Sequence, residues 1–343
     1  MTIKVGVIGY GYWGPNLVRN FSEVPGSQVV AVSDLRSELL AKANARYPAI
    51  KTTNNHQELI SDPAVDAIAI ATPVSSHYEL ALQALLAGKH VLVEKPITST
   101  AEQACRLIDE AERRDLILMV DHTFVYTGAV RKIHELVSQG YLGDLYYYDS
   151  VRVNLGLFQR DVSVVWDLAV HDLAIMDYIF ESKPTAISAT GTSHVPNQPE
   201  NVAYLTMFFD NSLIAHIHVN WLAPVKVRRT LIGGSQKMIV YDDIEPSEKI
   251  KVYDKGITVN GNSESIYQML IGYRAGDMWA PKLEMTEALR TEAMYFLECI
   301  NSGTPPITDG EAGLRVVSML EAASQSLKNQ GHPVELKYKE MSA

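Results

Sequence analysis

Three glycines between a short apolar strand and a helix constrain the fold of this chain more than any other feature. Gly9, Gly11 and Gly14 follow the β-rich run Ile3–Ile8 and precede a helical pattern. This G-x-G-x-x-G spacing allows a tight turn, a close approach of a pyrophosphate to the backbone, and close helix packing. The next predicted strand ends at Asp34, 20 residues after Gly14. Because its carboxylate can accept hydrogen bonds from ribose hydroxyls, the chain is predicted to begin with a dinucleotide-binding fold.

Side chains around this turn indicate which dinucleotide is bound. Tyr12 and Trp13 lie inside the glycine turn, where the helix N-terminus offers N–H groups and a positive dipole to a pyrophosphate. The carboxylate of Asp34 repels the 2′-phosphate of NADP, so the sequence favours NAD over NADP. Arg36 leaves an alternative open, because it can lie over the adenine or accept that phosphate.

Alternating strand and helix patterns extend to about residue 122. The sequence predicts strands at 29–33, 66–71, 90–93 and 116–120, and helices at 37–47, 76–87 and 100–114. Such alternation implies right-handed crossovers and a parallel sheet covered on both faces. We therefore expect an NAD-binding Rossmann domain at residues 1–122.

Residues 123–343 have a different pattern, with many short strands and few helices. Strands are predicted at 145–153, 186–192, 202–209, 212–220, 227–232, 237–241 and 250–253. Helices predicted at 129–138, 166–180, 286–300 and 310–327 are expected to cover one face of this sheet, leaving the other for water or a partner. The predicted fold class is α/β, with the Rossmann domain followed by an α+β domain on a large, mostly antiparallel sheet. Residues 267–282 receive no assignment.

Composition disfavours several classes of protein. The chain has 343 residues, of which 47% are hydrophobic and 20% are charged, and this suits two folded domains. Its formal net charge of −10 disfavours nucleic acid and anionic lipid as partners, because both are negatively charged. No apolar run reaches the length of a membrane span, and two distant cysteines, Cys105 and Cys299, predict a reducing, cytoplasmic location. His216 and His218 share a strand face and could share a metal, but no third ligand lies nearby, so we expect no metal.

Two further motifs fall at the carboxyl ends of predicted parallel strands, where ligands bind in open α/β sheets. They are Thr72-Pro73 and Glu94-Lys95-Pro96, and both are expected to line the cofactor groove. An ammonium at Lys95 can orient a substrate hydroxyl and lower its pKa; the alternative is a surface lysine paired with Glu94. His77, at the start of a helix, either caps that helix or contacts the cofactor.

In the second domain, Asp167 and His171 are four residues apart in one predicted helix and so share a face. The carboxylate can orient the imidazole, which titrates near neutral pH and can accept the proton of a hydroxyl as hydride leaves the same carbon. The alternative is an aspartate/histidine pair on a helix surface with only a structural role.

The glycine turn continuing into Pro15-Asn16, the Glu94-Lys95-Pro96 tripeptide and the Asp167-x-x-x-His171 helix together resemble the Gfo/Idh/MocA oxidoreductase family, along the whole chain. This resemblance implies an active-site lysine at Lys95 and an aspartate/histidine pair in which His171 accepts the proton. It also implies NAD-dependent oxidation or reduction of sugars, inositols or related polyols. The same resemblance implies a homo-oligomer, a dimer or tetramer, formed through the C-terminal sheet.

Within that family, four segments are similar to the nucleotide-sugar branch, which includes UDP-N-acetylglucosaminuronate 3-dehydrogenases. These segments are residues 12–16, 221–224, 241–243 and 308–310. The similarity implies a UDP-sugar or its uronate as substrate, with expected contacts from Tyr126, Arg152, Asn154 and Arg160, since the arginine fork suits a carboxylate or diphosphate. The alternatives are an inositol or free-sugar dehydrogenase and a non-catalytic NAD-binding sensor or regulator.

Overall fold

The computed structural model describes residues 2–156, 162–259 and 271–337. Its helices are α1 (Gly14–Glu23), α2 (Ser37–Arg46), α3 (Gln57–Ile60), α4 (His77–Leu86), α5 (Ala101–Arg113), α6 (Gly128–Ser138), α7 (Val170–Ile179), α8 (Ala288–Ser302) and α9 (Gly310–Lys328). Short 3₁₀ turns lie at Val74–Ser76 and Thr123–Tyr126, and a π-helical turn at Val165–Ala169 leads into α7.

The strands follow the predicted positions closely and add several short ones. They are β1 (Ile3–Ile8), β2 (Ser27–Ser33), β3 (Lys51–Thr53), β4 (Ala67–Ile70), β5 (His90–Glu94), β6 (Leu118–Asp121), β7 (Leu145–Leu155), β8 (Ala186–Thr192), β9 (Val202–Phe208), β10 (Ile214–Asn220), β11 (Leu222–Gly234), β12 (Met238–Asp242), β13 (Ile250–Tyr253), β14 (Gly256–Val259), β15 (Ile271–Arg274), β16 (Met278–Trp279) and β17 (Val334–Glu335). The unassigned segment 267–282 contributes β15 and β16 where it is described.

The chain divides into two compact units, neither of which is one continuous stretch of sequence. The first comprises Met1–Thr127 and Met285–Ser318, and the second comprises Gly128–Glu284 and Met319–Ala343. The boundary predicted after residue 122 does not include this return of the chain into the first unit.

The first unit contains a six-stranded parallel sheet of order β3-β2-β1-β4-β5-β6. The strand order reverses direction beside β1, which is the switch point at which open α/β sheets bind dinucleotides. The central strands are mostly apolar, and all four residues of β4 are apolar and buried, as expected for strands covered on both faces. The predicted Rossmann architecture is confirmed.

Helix α8 corrects one expectation, because it packs in the first unit and does not cover the sheet of the second. Phe296 packs edge-to-face on Phe21 of α1, with ring centroids 6.2 Å apart. At the start of the helix, the Glu287 carboxylate lies 2.5 Å from the Arg19 guanidinium. The apolar face of α8 therefore has its partner in the Rossmann unit, which the helix periodicity alone could not specify.

The second unit is built on a nine-stranded sheet of order β16-β13-β12-β11-β7-β10-β9-β8-β17. Its strands pair antiparallel except for β7 and β10, which run parallel. One face is buried: on β10, Ala215, Ile217 and Val219 have no solvent exposure, whereas the alternate residues are partly or fully exposed. This confirms the predicted α+β domain with a mostly antiparallel sheet.

Candidate active site

The glycine turn has the geometry that a pyrophosphate site requires. Gly9 has φ of +98°, and a Cβ there would lie 2.3 Å from the Ala71 carbonyl oxygen. A Cβ on Gly14 would lie 2.1 Å from the Gly9 carbonyl oxygen, whereas one on Gly11 would meet only the Arg36 guanidinium, at 3.1 Å. Helix α1 begins without a side-chain cap, which leaves its first N–H groups to bind an anion. These residues fit a dinucleotide.

Asp34 is buried directly behind this turn and organises it. Its Oδ2 accepts from the Tyr10 backbone N–H at 2.7 Å, and its Oδ1 accepts from the Arg36 N–H at 2.9 Å. The exposed Arg36 side chain also pairs with Oδ1, at 3.3 Å. A carboxylate has about four acceptor positions, so Asp34 retains capacity for a ribose hydroxyl. Tyr12 is 91% exposed at the tip of the turn and Trp13 is half-buried.

The two loops predicted to line the cofactor groove are linked by His77. Its Nδ1 lies 2.8 Å from the Pro96 carbonyl oxygen and its Nε2 lies 2.8 Å from the Thr72 carbonyl oxygen. The ring is buried, and burial lowers the pKa of His77, which favours the neutral ring. No side-chain cap is formed at this helix start, so His77 connects the loops after β4 and β5 and does not cap α4.

Glu94 and Lys95 are both half-buried at the end of β5. The Glu94 Oε2 accepts from the Lys95 backbone N–H at 2.8 Å, which fixes the backbone that carries the lysine. Thr72 is half-buried and accepts a hydrogen bond from the Ser76 hydroxyl at 2.8 Å, and Pro73 is exposed. The first unit thus places these residues after neighbouring strands, next to the switch point.

Tyr126 lies in a different environment from the one its predicted role requires. It is 2% exposed, its hydroxyl hydrogen-bonds the Thr308 hydroxyl at 2.8 Å, and its ring packs on Tyr295. Burial raises the pKa of Tyr126 well above its usual value. These contacts argue for a packing role rather than contact with a substrate.

In the second unit, Asp167 lies in the π-helical turn that precedes α7, and His171 lies in the first turn of that helix. Both side chains are half-buried. The Asp167 Oδ2 accepts from the indole Nε1 of Trp221 at 3.1 Å. π-helical turns are rare and often occur at functional sites. The two residues predicted to act together therefore share one irregular helix start, and one of them is oriented by an indole.

Trp221 is itself held rigidly. The ring is 1% exposed, the backbone N–H donates to the Asn201 carbonyl at 2.9 Å, and the backbone carbonyl accepts from the Gly156 N–H at 3.0 Å. A Cβ on Gly156 would lie 2.6 Å from the indole ring and 3.3 Å from the Asn154 amide nitrogen. The half-buried Asn154 thus lies close to the tryptophan that orients Asp167, which keeps it as a candidate substrate contact.

Arg152, two residues before Asn154 on β7, is committed to a buried ion pair. Its side chain is 4% exposed, and Nε donates to Asp172 Oδ2 at 2.6 Å. The Ser150 hydroxyl donates to the other Asp172 oxygen at 2.8 Å. This geometry argues against direct substrate contact, since the guanidinium is already neutralised inside the unit. Arg160, the other predicted arginine, lies outside the described residues.

The histidine pair on β10 packs against an aromatic and an acidic side chain. Tyr204 stacks on His218, with centroids 4.4 Å apart, and on His216 at 6.2 Å. Asp149 lies 3.5 Å from His216 Nδ1. Over the described ranges, no group of three or more His, Cys, Asp or Glu side chains has metal-binding geometry, and no helix has the length and apolar character to cross a bilayer.

Three further residues near these groups were not predicted. Trp221 orients Asp167, Asp121 accepts a hydrogen bond from the Trp13 indole at 2.7 Å, and Glu292 is fully buried on α8. The sequence could have identified Asp121 as a candidate, since it lies at the carboxyl end of a predicted parallel strand. Glu292 could also have been identified, since it shares the apolar helix face of Leu289, Ala293 and Phe296.

A Rossmann sheet with this glycine turn and an aspartate directly after β2 is typical of dinucleotide-binding proteins, and sequence comparison identifies the family. Residues 3–122 match the profile described as oxidoreductase family, NAD-binding Rossmann fold, and residues 130–240 match the GFO/IDH/MocA C-terminal domain. The chain belongs to the Gfo/Idh/MocA oxidoreductase family. Like the members of that family, it is an NAD-dependent dehydrogenase that acts on CH–OH groups.

Similar proteins include dehydrogenases with different substrates. The chain is 25% identical to the myo-inositol 2-dehydrogenase of Thermotoga maritima, with 96% of this chain and 97% of that protein covered. It is 27% identical to the UDP-N-acetylglucosamine 3-dehydrogenase of Acidithiobacillus ferrooxidans, with 92% and 94% covered. A solved structure of the latter enzyme superposes with a TM-score of 0.81 at 25% identity, over 96% of this chain and 99% of that one. Levoglucosan dehydrogenase, solved with NADH, shares the fold, with a TM-score of 0.83 at 19% identity over 99% and 100% of the two chains.

Proposed function

We propose that this protein transfers a hydride between a ring hydroxyl of a nucleotide-linked sugar and NAD. The observation that carries the proposal is the Asp167/His171 pair where the π-helical turn leads into α7, with Asp167 oriented by Trp221. Support for the substrate class comes from the similarity, along nearly the whole chain, to the A. ferrooxidans UDP-N-acetylglucosamine 3-dehydrogenase. A UDP-sugar or its uronate is the proposed substrate.

Residues of the first unit hold the cofactor in this proposal. The glycine turn and the N-terminus of α1 bind the pyrophosphate, and Asp34 accepts from the ribose hydroxyls. Thr72, Pro73, Glu94 and Lys95 border the groove after β4 and β5. NAD supplies the redox chemistry when bound, by accepting or returning a hydride.

Proton handling is assigned to three side chains. His171 accepts the hydroxyl proton, Asp167 holds the imidazole in the required orientation, and Lys95 orients the substrate oxygen and stabilises its developing negative charge. Asn154 is the proposed substrate contact that the structure supports best. Tyr126 and Arg152 are assigned to packing and to a buried ion pair because of their burial.

The second candidate is an inositol or free-sugar dehydrogenase, favoured by the similarity to the T. maritima enzyme along 96% of this chain. Single-turnover formation of NADH at enzyme-level concentrations, with UDP-sugars, their uronates, free sugars and inositols, separates the two. A signal from UDP-sugars or their uronates alone supports the proposal, and a signal from inositols or free sugars alone replaces it with the second candidate. Bound NAD with no signal from any compound supports a non-catalytic sensor.

Lys95→Ala tests the assignment of the lysine with the substrate found in that panel. We expect turnover to fall about 10²-fold or more, with little change in NAD affinity, because the variant removes a group used in proton handling. Turnover equal to that of the unmodified protein would remove Lys95 from the reaction.

A homo-oligomer formed through the open sheet face is also proposed. Three apolar side chains on that face are 38–46% exposed: Tyr204, Phe208 and Ile214. Such a patch is typical of an interface. Sedimentation velocity of Ile214→Glu is expected to show a smaller assembly than the unmodified protein; an unchanged assembly would contradict this surface.

A further inference from the structure

Three acidic side chains meet at the carboxyl ends of two neighbouring strands in the first unit. Glu94 ends β5 and Asp121 ends β6, and the two residues are direct partners in the parallel register. Glu292 comes from α8, is 0% exposed, and lies close enough to both to affect its pKa. Neither Asp121 nor Glu292 has a role in the function proposed above.

Asp121 is the member that is hydrogen-bonded as a carboxylate. Its Oδ2 accepts from the Trp13 indole at 2.7 Å, and its Oδ1 accepts from the Thr123 hydroxyl. Both of its oxygens therefore face a hydrogen-bond donor. Because Trp13 belongs to the glycine turn, the cluster is tied directly to the cofactor site.

The surroundings of the other two members favour their protonated forms. Burial raises the pKa of Glu292 well above its usual value, and the neighbouring Asp121 raises it further. The same two causes raise the pKa of Glu94, opposed by the Lys95 charge and by the Lys95 backbone N–H. Burial also raises the pKa of Tyr126, which lies in the turn after β6. A carboxyl group with donors on both oxygens thus lies beside two whose burial disfavours the charge.

Glu292 is the member that a purely structural role does not explain. Within the described ranges, neither of its carboxyl oxygens has a partner with hydrogen-bond geometry, although the Asp121 and Thr123 side chains are near. A buried polar group without a partner is unfavourable, because it has lost its hydrogen bonds to water. A glutamine would have the same shape without an ionisable group, but only the acid can release a proton.

We propose that Glu94, Asp121 and Glu292 form a proton-exchanging carboxyl cluster that releases a proton to solvent when NAD⁺ is bound and retains it when NADH is bound. The two cofactor forms differ by one positive charge on the nicotinamide ring. A nearby positive charge favours the ionised form of a carboxyl group, and dinucleotides in this fold lie along the carboxyl ends of the strands. The step breaks one carboxyl O–H bond, and the proton passes to the buffer.

Calorimetric titration with NAD⁺ and with NADH tests this proposal without measuring turnover. At pH 8, the binding heat is measured in phosphate, HEPES and Tris, and its slope against buffer ionisation enthalpy gives the number of protons released. We expect about 0.3 proton or more for NAD⁺ and none for NADH. Glu292→Gln should lose at least half of that release, whereas Glu298→Gln, an exposed position on the same helix, should keep it.

The outcomes separate the cluster from the cofactor assignment. Equal proton release for the two cofactor forms would overturn the proposal, as would full release by a folded Glu292→Gln variant that binds NAD⁺ normally. Absence of binding heat with either form would contradict NAD binding itself, and the cluster proposal with it. If Glu292→Gln does not fold, Glu94→Gln provides the same test, with loss of the release expected.

Discussion

Replacement of Arg152 by methionine would decide between the substrate contact implied by family resemblance and the buried ion pair found in the structure. The Arg152 and Asp172 side chains are 4% and 2% exposed, and their charged atoms approach to 2.6 Å. Methionine retains most of the stem but removes the charge. Asp172 would then be left with the Ser150 hydroxyl, at 2.8 Å, as its remaining donor from this cluster.

The expected loss follows from the burial of both partners. Removing one member of a buried pair costs about 3–5 kcal/mol, because the other charge stays in a low-dielectric site. In a domain of 150–250 residues, roughly 2–4 °C of Tm accompany each kcal/mol, so the Tm of the second unit should fall by about 6–20 °C. The double variant R152M/D172L removes both charges and should recover most of this loss.

The assay is a double-mutant cycle in urea and by calorimetry. It uses the unmodified protein, R152M, D172L and R152M/D172L, with Arg106→Met as control. Arg106 pairs with Glu102 on the surface of α5, with side-chain exposures of 61% and 75%, so its loss should cost at most about 0.5 kcal/mol. If R152M were as stable as the control variant and instead weakened substrate binding, the structural assignment of Arg152 would be refuted.

Three further predictions concern the groups around the site. Trp221→Phe removes the donor to Asp167, so kcat/KM should fall about 10-fold and the pH–rate profile should shift in steady-state assays. An unchanged profile would exclude an orienting role for the indole. Glu292 has a raised pKa in the folded state, so the folded protein binds more protons than the unfolded chain above about pH 4.5 and loses stability as pH rises through that window. Glu292→Gln should therefore have a stability advantage that is smallest near pH 5 and grows toward pH 9, by up to about 1.4 kcal/mol per pH unit, in thermal unfolding scans; a difference independent of pH would contradict a titrating acid. Asp34→Asn should reduce the preference for NAD over NADP about 10-fold or more in direct binding measurements, and an unaltered preference would show that Asp34 does not set it.

The fold of the first unit was largely readable from local sequence patterns. Its central strands are mostly apolar, and four of its strands end at or directly before a residue that marks the sheet edge: Gly9 after β1, Asp34 after β2, Glu94 in β5 and Asp121 in β6. Helix α8 shows where this reasoning stopped. Its apolar spacing predicts a buried face but does not specify which element that face packs on. The Phe296–Phe21 contact joins positions 275 residues apart in the sequence.

The site was predictable where a residue type and a strand end coincide. Gly9, Asp34 and Lys95 follow this rule. The arginines do not follow it, because an arginine in a strand of a sheet covered on one face can lie on either face. Arg152 lies on the covered face of β7, where it forms an ion pair with Asp172 of α7. Asp172 could not be identified as the partner from sequence, since it lies 20 residues from Arg152 on a different element.

The same buried pair explains how the irregular helix start that carries Asp167 and His171 is held in place. A π-helical turn gives up regular hydrogen bonding, so Asp167 and His171 need support from outside the helix. Trp221 provides that support before α7 begins, and Arg152 provides it one residue after His171, through Asp172. The Trp221 contact is made to Asp167 and the Arg152 contact to the residue after His171, so loss of the Arg152–Asp172 pair should alter turnover as well as stability. That combination, lower stability with lower kcat and little change in KM, is the outcome expected of a positioning pair.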